Sequence, residues 1–304
     1  MAERRHGETL PLGGEGQPPY SRGLMTRALM RGGLNSEHAY ELASRIETDL
    51  NTRDKYALEI ERLREIAVKL LGESDGNGLV WRLLRYQRLD DLEVPVILLI
   101  GGATGTGKSS VAAEVARRLG ITRVTSTDFL RQTMRALFSK EFMPSIHYSS
   151  FEVGEYVGTP GEDSVVSLLR GFLEQTRHVL VGVQASVDRA LHEGLSMVIE
   201  GVHVVPGMLP TATSDALVVQ CVLAIESEEA HASHFSTRVT SSAGARPPRR
   251  YLERLAEIRA LQTFIVEQAV EAGVPVATNT DVRGAVEAVT GLVLAHERLD
   301  GADD

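Results

Sequence analysis

The residues Gly102-Ala-Thr-Gly-Thr-Gly-Lys-Ser109 fit the pattern G-x-x-x-x-G-K-[ST], and each fixed position in it has a chemical reason. Glycines let backbone N–H groups turn inward around phosphate oxygens, Lys108 adds a point charge near the β and γ phosphates, and the Ser109 hydroxyl suits magnesium. The apolar run Val94-Pro-Val-Ile-Leu-Leu-Ile-Gly101 precedes it with strand character. Behind it, Ser110-Val-Ala-Ala-Glu-Val-Ala-Arg-Arg-Leu-Gly120 is helix-forming and ends at a glycine, so a helix N-terminus aims its dipole at the anion. Strand, loop and helix in this order make a P-loop. Gly102, Ala103, Thr104, Gly105, Thr106, Gly107, Lys108, Ser109 and Ser110 are therefore expected to bind a nucleoside triphosphate with Mg2+. Reading guanine would need an Asn-Lys-x-Asp segment. The nearest, Thr278-Asn-Thr-Asp281, lacks the lysine, so a guanine switch is not expected.

What is done with the nucleotide depends on residues elsewhere. Met197-Val-Ile-Glu200 is an apolar strand ending in acid, and parallel sheets bind ligands at the carboxyl ends of their strands. Glu200 is thus expected to hold magnesium or its water together with Ser109; a solvated acid at a strand end is the plainer alternative. Asp128 follows a second strand in Ser126-Thr-Asp128, where a carboxylate can orient an acceptor hydroxyl and take its proton, while Thr127 or Asp128 could equally cap the next helix. Arg131 and Arg135, four residues apart, share a helix face and could grip a phosphate or carboxylate on the acceptor. Arg238, Arg246, Arg249, Arg250 and Arg254 surround a small-residue and Pro-containing stretch, a composition suited to a lid that neutralises charge on a transferring group. The catalytic set read in this way is Lys108, Asp128, Arg131, Arg135, Arg246 and Arg250, with solvated basic faces as the alternative for the arginines. His147 and His203 are available as acid or base, and neither has a partner at metal-ligand spacing.

These residues need a scaffold. The chain has 304 residues, 43% of them hydrophobic and 24% charged, a globular composition long enough for one α/β domain with a smaller companion. A net charge of −9 argues against nonspecific binding to nucleic acid. No apolar run is long enough to cross a bilayer, and the N-terminus has no apolar secretory core; a cytoplasmic protein with neither nucleic acid nor membrane as partner is expected. The single cysteine, Cys221, reads as a buried strand position.

Strands are expected at residues 94–101, 122–126, 197–200, 216–225 and 274–277, alternating with helices. That alternation implies a five-stranded parallel sheet with helices on both faces. Residues 139–161 lack periodicity, and a long irregular segment inside a compact domain signals function. Ahead of the sheet, Leu24, Met25, Ala28 and Leu29, then Ala39, Leu42, Ala43, Ile46 and Leu50, recur at helical spacing around a Gly32-Gly-Leu-Asn-Ser36 break. A third helical pattern covers 53–71, Gly72-Glu-Ser-Asp-Gly-Asn-Gly78 interrupts it, and a further helix is expected over 79–88. The chain divides accordingly into a flexible arm at 1–18, a small helical N-terminal domain at 19–90 and a P-loop domain at 91–304.

Taken together the motifs resemble the 2-phosphoglycerate kinases. The resemblance rests on the P-loop, Ser126-Thr-Asp-Phe-Leu-Arg-Gln-Thr-Met-Arg135, His147-Tyr-Ser-Ser-Phe151, Ile199-Glu-Gly-Val-His-Val-Val-Pro-Gly207 and Arg250-Tyr-Leu-Glu-Arg-Leu-Ala-Glu-Ile-Arg259, in order over about residues 94–295. It implies a P-loop NTPase fold and transfer of the ATP γ-phosphoryl group to the 3-hydroxyl of 2-phosphoglycerate, a small phosphorylated acid. Another sugar, polyol or inositol phosphate as acceptor, and an ATP-sensing regulator, are the alternatives. The segment from Pro19 to Gly33 together with Ala39-Tyr-Glu-Leu-Ala-Ser-Arg-Ile46 looks like the helical part of an ATP-cone, a nucleotide-sensing module. Upstream, only Arg4-Arg-His-Gly-Glu8 stands where such modules carry a basic strand with lysine, so a docking or structural role stands beside sensing.

Overall fold

The segments expected to be strands form one sheet: β1 (Val96–Gly101), β2 (Arg123–Ser126), β3 (Met197–Glu200), β4 (Leu217–Ala224) and β5 (Val276–Thr278). The computed structural model describes residues 10, 12, 20–157, 163–209, 213–241 and 248–299. All four pairings are parallel, in the order β2-β3-β1-β4-β5. β1 is central and buried along its whole length, which is why its sequence is apolar without alternation. β2 is an edge strand, and its first two residues are exposed.

Helices cover both faces. On one, α5 (Lys108–Leu119) and α12 (Val282–Leu294) pack Val111, Val115, Val286 and Val289 against Val96, Leu98 and Ile100. On the other, α8 (Ser164–Glu193) packs Val179, Leu180 and Val183 against Ile97 and Leu99, while α11 (Leu255–Glu271) packs Ile258, Leu261 and Ile265 near Val222. The sides of β1 thus divide by the period of two that strands impose. Between these elements lie α6 (Thr127–Leu137), α7 (Gly154–Val157), α9 (Glu228–Ser241) and α10 (Pro248–Leu252). Within residues 139–161, the expected irregular segment, the chain makes a 3-10 turn at Pro144–His147 and then α7. Cys221 is buried in β4, and burial pushes its thiol up to about 12, so it behaves as a small hydrophobe.

Four helices precede the sheet: α1 (Arg22–Arg31), α2 (Ser36–Thr52), α3 (Ile60–Leu71) and α4 (Glu73–Asp90). They enclose a core of Met25, Leu29, Leu42, Ile46, Leu63, Leu79 and Leu83. Three features differ from the expectation, the first being that α3 begins at Ile60 and not at 53. The glycines at 76 and 78 do not break a helix; the chain reverses at Gly72, at φ 88°, and α4 starts at once. Gly76 is needed because α3 and α4 approach so closely that a Cβ there would lie 2.6 Å from Val68 N. The arm expected at 1–18 also contributes to packing. Leu10 and Leu12 are buried in the helical core, and Leu58 N–H donates to Leu12 O at 2.6 Å.

One helix belongs to both cores. Leu79, Val80 and Leu83 of α4 face the helical bundle, while Tyr86 and Leu89, further along it, pack with the sheet. Arg31 reinforces the junction: its guanidinium makes a bidentate pair with Asp90 at 2.6 and 2.8 Å, donates to Arg118 O at 2.8 Å and lies over the Tyr86 ring at 4.3 Å.

Candidate active site

Parallel register brings the chemistry together. Ile100 pairs with Glu200, and Glu200 with Ser126, so three neighbouring strands end level. Their loops share one sheet edge: residues 102–107 after β1, the start of α6 after β2, and 201–205 after β3. Adjacent strands lie roughly 4.8 Å apart, which places the P-loop about 10 Å from the Ser126-Thr-Asp128 turn with Glu200 between them.

The loop after β1 is wound tightly. Gly105 and Gly107 have φ of 92° and 83°, a region open to glycine at little cost, and Gly107 caps α5. The buried Lys108 folds back over its own loop and donates to Ala103 O at 2.6 Å. Ser109 Oγ donates to Glu200 Oε1 at 2.9 Å. Two hard oxygens so close together suit magnesium. Among the described residues no three His, Cys, Asp or Glu side chains gather to hold a metal, so an ion here needs phosphate oxygens as further ligands. Ser109 and Glu200 also line a cleft of about 360 Å3 with Val124, Thr125, Ser126 and Phe129. A larger cavity of about 570 Å3 lies between α1, α4 and the C-terminal end of α5, and none of the residues singled out for chemistry reaches it.

On the acceptor side the structure separates residues that spacing had grouped. Capping of α6 falls to Ser126, whose hydroxyl accepts from Phe129 N–H at 3.1 Å, not to Thr127 or Asp128. The Asp128 side chain is left 55% exposed. Arg131 and Arg135 do not form a matched pair. Arg131 is 4% exposed, and its Nη1 donates to the carbonyls of Ile146 and Tyr148, both at 2.9 Å, with Asp128 Oδ1 3.4 Å from Nη2. Arg135, one turn on, is exposed. The loop at 146–148 covers Arg131 alone, so residues on one face meet different surroundings.

A buried network that spacing could not reveal stands behind Asp128. Gln175 Nε2 donates to Ser145 O at 2.6 Å and to Tyr148 O at 3.0 Å, leaving its Oε1 to face His203 Nε2 at 2.9 Å. That oxygen only accepts, so His203 carries its proton on Nε2, and Nδ1 accepts from the Thr127 hydroxyl at 3.0 Å. Burial pushes the imidazole down to about 3, with Arg131 and Lys108 adding to the effect against the opposing charge of Asp128. His203 is thus a neutral hydrogen-bond relay near neutral pH, and the expected acid–base availability is corrected. His147 is likewise engaged, its Nε2 at 3.0 Å from Phe138 O.

Of the basic residues expected in a lid, Arg250 pairs with Glu152 and donates to Ser149 Oγ at 3.2 Å, and Arg254 pairs with Glu155 and Glu257. Arg249 is exposed and pairs with Glu253, just past the end of its own helix. Arg246 and the Arg238 side chain lie outside the described residues.

No family model matches the chain. Curated proteins do. A 2-phosphoglycerate kinase of Methanothermobacter thermautotrophicus is 36% identical over 272 residues, covering 89% of this chain and 89% of its own length. Proteins of the same name from Methanopyrus kandleri and Thermococcus kodakarensis are 35% and 34% identical, covering 90% and 89% of this chain and 84% and 91% of their own. Among solved structures, a gluconokinase from Sinorhizobium meliloti is 16% identical and covers 66% of this chain and 95% of its own, with a TM-score of 0.34.

Proposed function

The chain belongs to the 2-phosphoglycerate kinase family, and we propose on that premise that it transfers the γ-phosphoryl group of ATP to the 3-hydroxyl of 2-phosphoglycerate, releasing ADP and 2,3-bisphosphoglycerate. The observation that best supports this reading is the meeting of the P-loop, the Ser109–Glu200 pair and Asp128 at one sheet edge. Backbone N–H groups of residues 102–110 hold the phosphates, and Lys108 exchanges Ala103 O for a γ-phosphate oxygen. Ser109 and Glu200 would hold Mg2+, whose charge would offset that of the transferring phosphates. Asp128, at the mouth of the acceptor side, orients the 3-hydroxyl and accepts its proton as the new O–P bond forms. The bond from the γ-phosphorus to its bridging oxygen breaks, and the electron pair leaves with ADP.

Arg135 offers an exposed guanidinium to the acceptor's anionic groups. Arg131 serves the same side from within, fixing the 146–148 backbone beside Asp128. Arg246 and Arg250 are the residues assigned to steady the transferring group, with Arg250 leaving Glu152 to do so. Residues 19–90 form an accessory unit of this cytoplasmic enzyme, docked through α4.

Asp128→Asn tests the central assignment. General-base loss should lower kcat by roughly 10²–10⁴-fold while leaving the Kd for Mg·ATP unchanged. Turnover equal to wild type would remove Asp128 from the chemistry.

A further inference from the structure

Three consecutive P-loop carbonyls are each met by a side chain from a distant part of the sequence. His231 Nε2 lies 2.8 Å from Thr104 O, His234 Nδ1 3.1 Å from Gly105 O, and Asn279 Nδ2 2.8 Å from Thr106 O. A carbonyl only accepts, so each of these nitrogens carries a proton toward the loop. The two histidines are three residues apart on α9 and share a face. Asn279 follows β5, two residues before Asp281, the cap of α12.

The contacts are tightly packed. A Cβ on Gly105 would lie 2.6 Å from Phe235 Cε1 and 3.0 Å from His231 Nε2, and one on Gly107 would strike the Asn279 amide. Phe235 is itself stacked between His231 and Tyr251, with ring centroids 5.5 and 5.0 Å away. His231 and Asn279 are almost completely buried, and burial pushes the His231 imidazole below its ordinary range, with the bond to Thr104 O opposing that shift.

A peptide unit is planar, and its C=O and following N–H point in opposite directions. Holding the carbonyls of Thr104, Gly105 and Thr106 outward therefore turns the N–H groups of Gly105, Thr106 and Gly107 toward the other side of the loop, where phosphate is bound. The Thr106 N–H meets a competing partner, Ala103 O, only at 3.4 Å, long enough to be given up to a phosphate oxygen.

We propose that His231, His234 and Asn279 are positioning residues for the nucleotide, a brace that holds three P-loop peptide planes in their phosphate-binding orientation before ATP arrives. This rests on the ATP-kinase reading. Part of the ordering of the loop is then present in the free protein, and ATP binds more tightly because it does not have to impose that order.

Side chains that keep or remove one donor test it. Glutamine places an amide nitrogen near the position of histidine Nε2, and asparagine near that of Nδ1. The variants are His231→Leu and His231→Gln, His234→Ala and His234→Asn, and Asn279→Ala, with calorimetric Kd for Mg·ATP, KM for 2-phosphoglycerate and thermal unfolding without nucleotide measured for each. Loss of one donor should raise the Kd for Mg·ATP about three- to tenfold, the Gln and Asn variants should return to within about twofold of wild type, and the KM for 2-phosphoglycerate should stay constant. Deletion variants that bind Mg·ATP as wild type does would overturn the brace alone, as would Gln and Asn variants as weak as the deletions. Wild-type protein that binds no Mg·ATP would overturn the nucleotide reading and the brace with it.

Discussion

Truncating Arg131 to alanine should cost stability before it costs acceptor affinity. The side chain is 4% exposed and its Nη1 serves two backbone carbonyls at 2.9 Å. Hydrogen bonds from a charged donor are worth about 1.5–3 kcal/mol each. Gln175 also holds Tyr148 O and the neighbouring Ser145 O, so part of the segment's support survives and the expected loss is nearer about 3 kcal/mol than the full sum. The 3.4 Å contact with a half-exposed Asp128 adds little. At about 2.1 cal/mol/K of unfolding entropy per residue, about 3 kcal/mol in a chain of this length corresponds to a fall in Tm of about 5 °C. Scanning calorimetry reads that loss, and steady-state kinetics on the same protein reads the KM for 2-phosphoglycerate. Arg135→Ala is the control, expected to keep its Tm within about 2 °C, as an exposed site does, while raising that KM. Were Arg131→Ala to unfold at the wild-type temperature and show the same KM increase as Arg135→Ala, the assignment of Arg131 to the backbone would be refuted.

Glu200→Gln keeps an acceptor for Ser109 but loses the charge, so half-maximal activity should need roughly tenfold more Mg2+ or worse at unchanged Tm; an unshifted magnesium titration would remove Glu200 from the metal site. The low value for His203 predicts acid sensitivity. With a folded value of about 3 and an unfolded one of about 6.5, the unfolded chain binds the extra proton, so this contribution is complete above pH 6.5 and falls as pH drops toward 3, by up to about 1.4 kcal/mol per unit. His231 acts in the same direction. Chemical denaturation between pH 4 and 7 checks it, and His203→Gln should flatten the slope; an unchanged slope would contradict the buried neutral imidazole. Gly76→Ala should strain the α3–α4 contact by about 1–3 kcal/mol while Mg·ATP still binds, measured by thermal unfolding beside nucleotide titration; unchanged unfolding would mean the helices separate freely.

The strand–loop–helix order around Lys108 and the five strands were readable because their signals are local: a fixed glycine spacing and short apolar runs bounded by turns. Glu200 was found by its place at a strand end, and parallel register then set it beside Ser109. What escaped depended on contacts between distant segments. Gly76 looks like a helix breaker until Val68 is placed against it, and Leu10 and Leu12 are too few to show a pattern in a Gly-rich stretch. Arg131 and Arg135 have the same helical spacing, yet only the loop at 146–148 decides which is buried. Thr127, Gln175 and His203 come from three separate elements. The pair His231 and His234 did carry a trace, two histidines at helical spacing, but nothing nearby in sequence says that they face the P-loop.

The most direct measurement follows phosphorus NMR spectra of the purified protein with Mg·ATP and, in parallel, 2-phosphoglycerate, 3-phosphoglycerate, glycerate or no acceptor. With 2-phosphoglycerate alone, resonances of 2,3-bisphosphoglycerate and ADP should grow in equal amounts. Binding of Mg·ATP with no phosphoryl transfer to 2-phosphoglycerate, or faster transfer to one of the other acceptors, would contradict the proposed reaction.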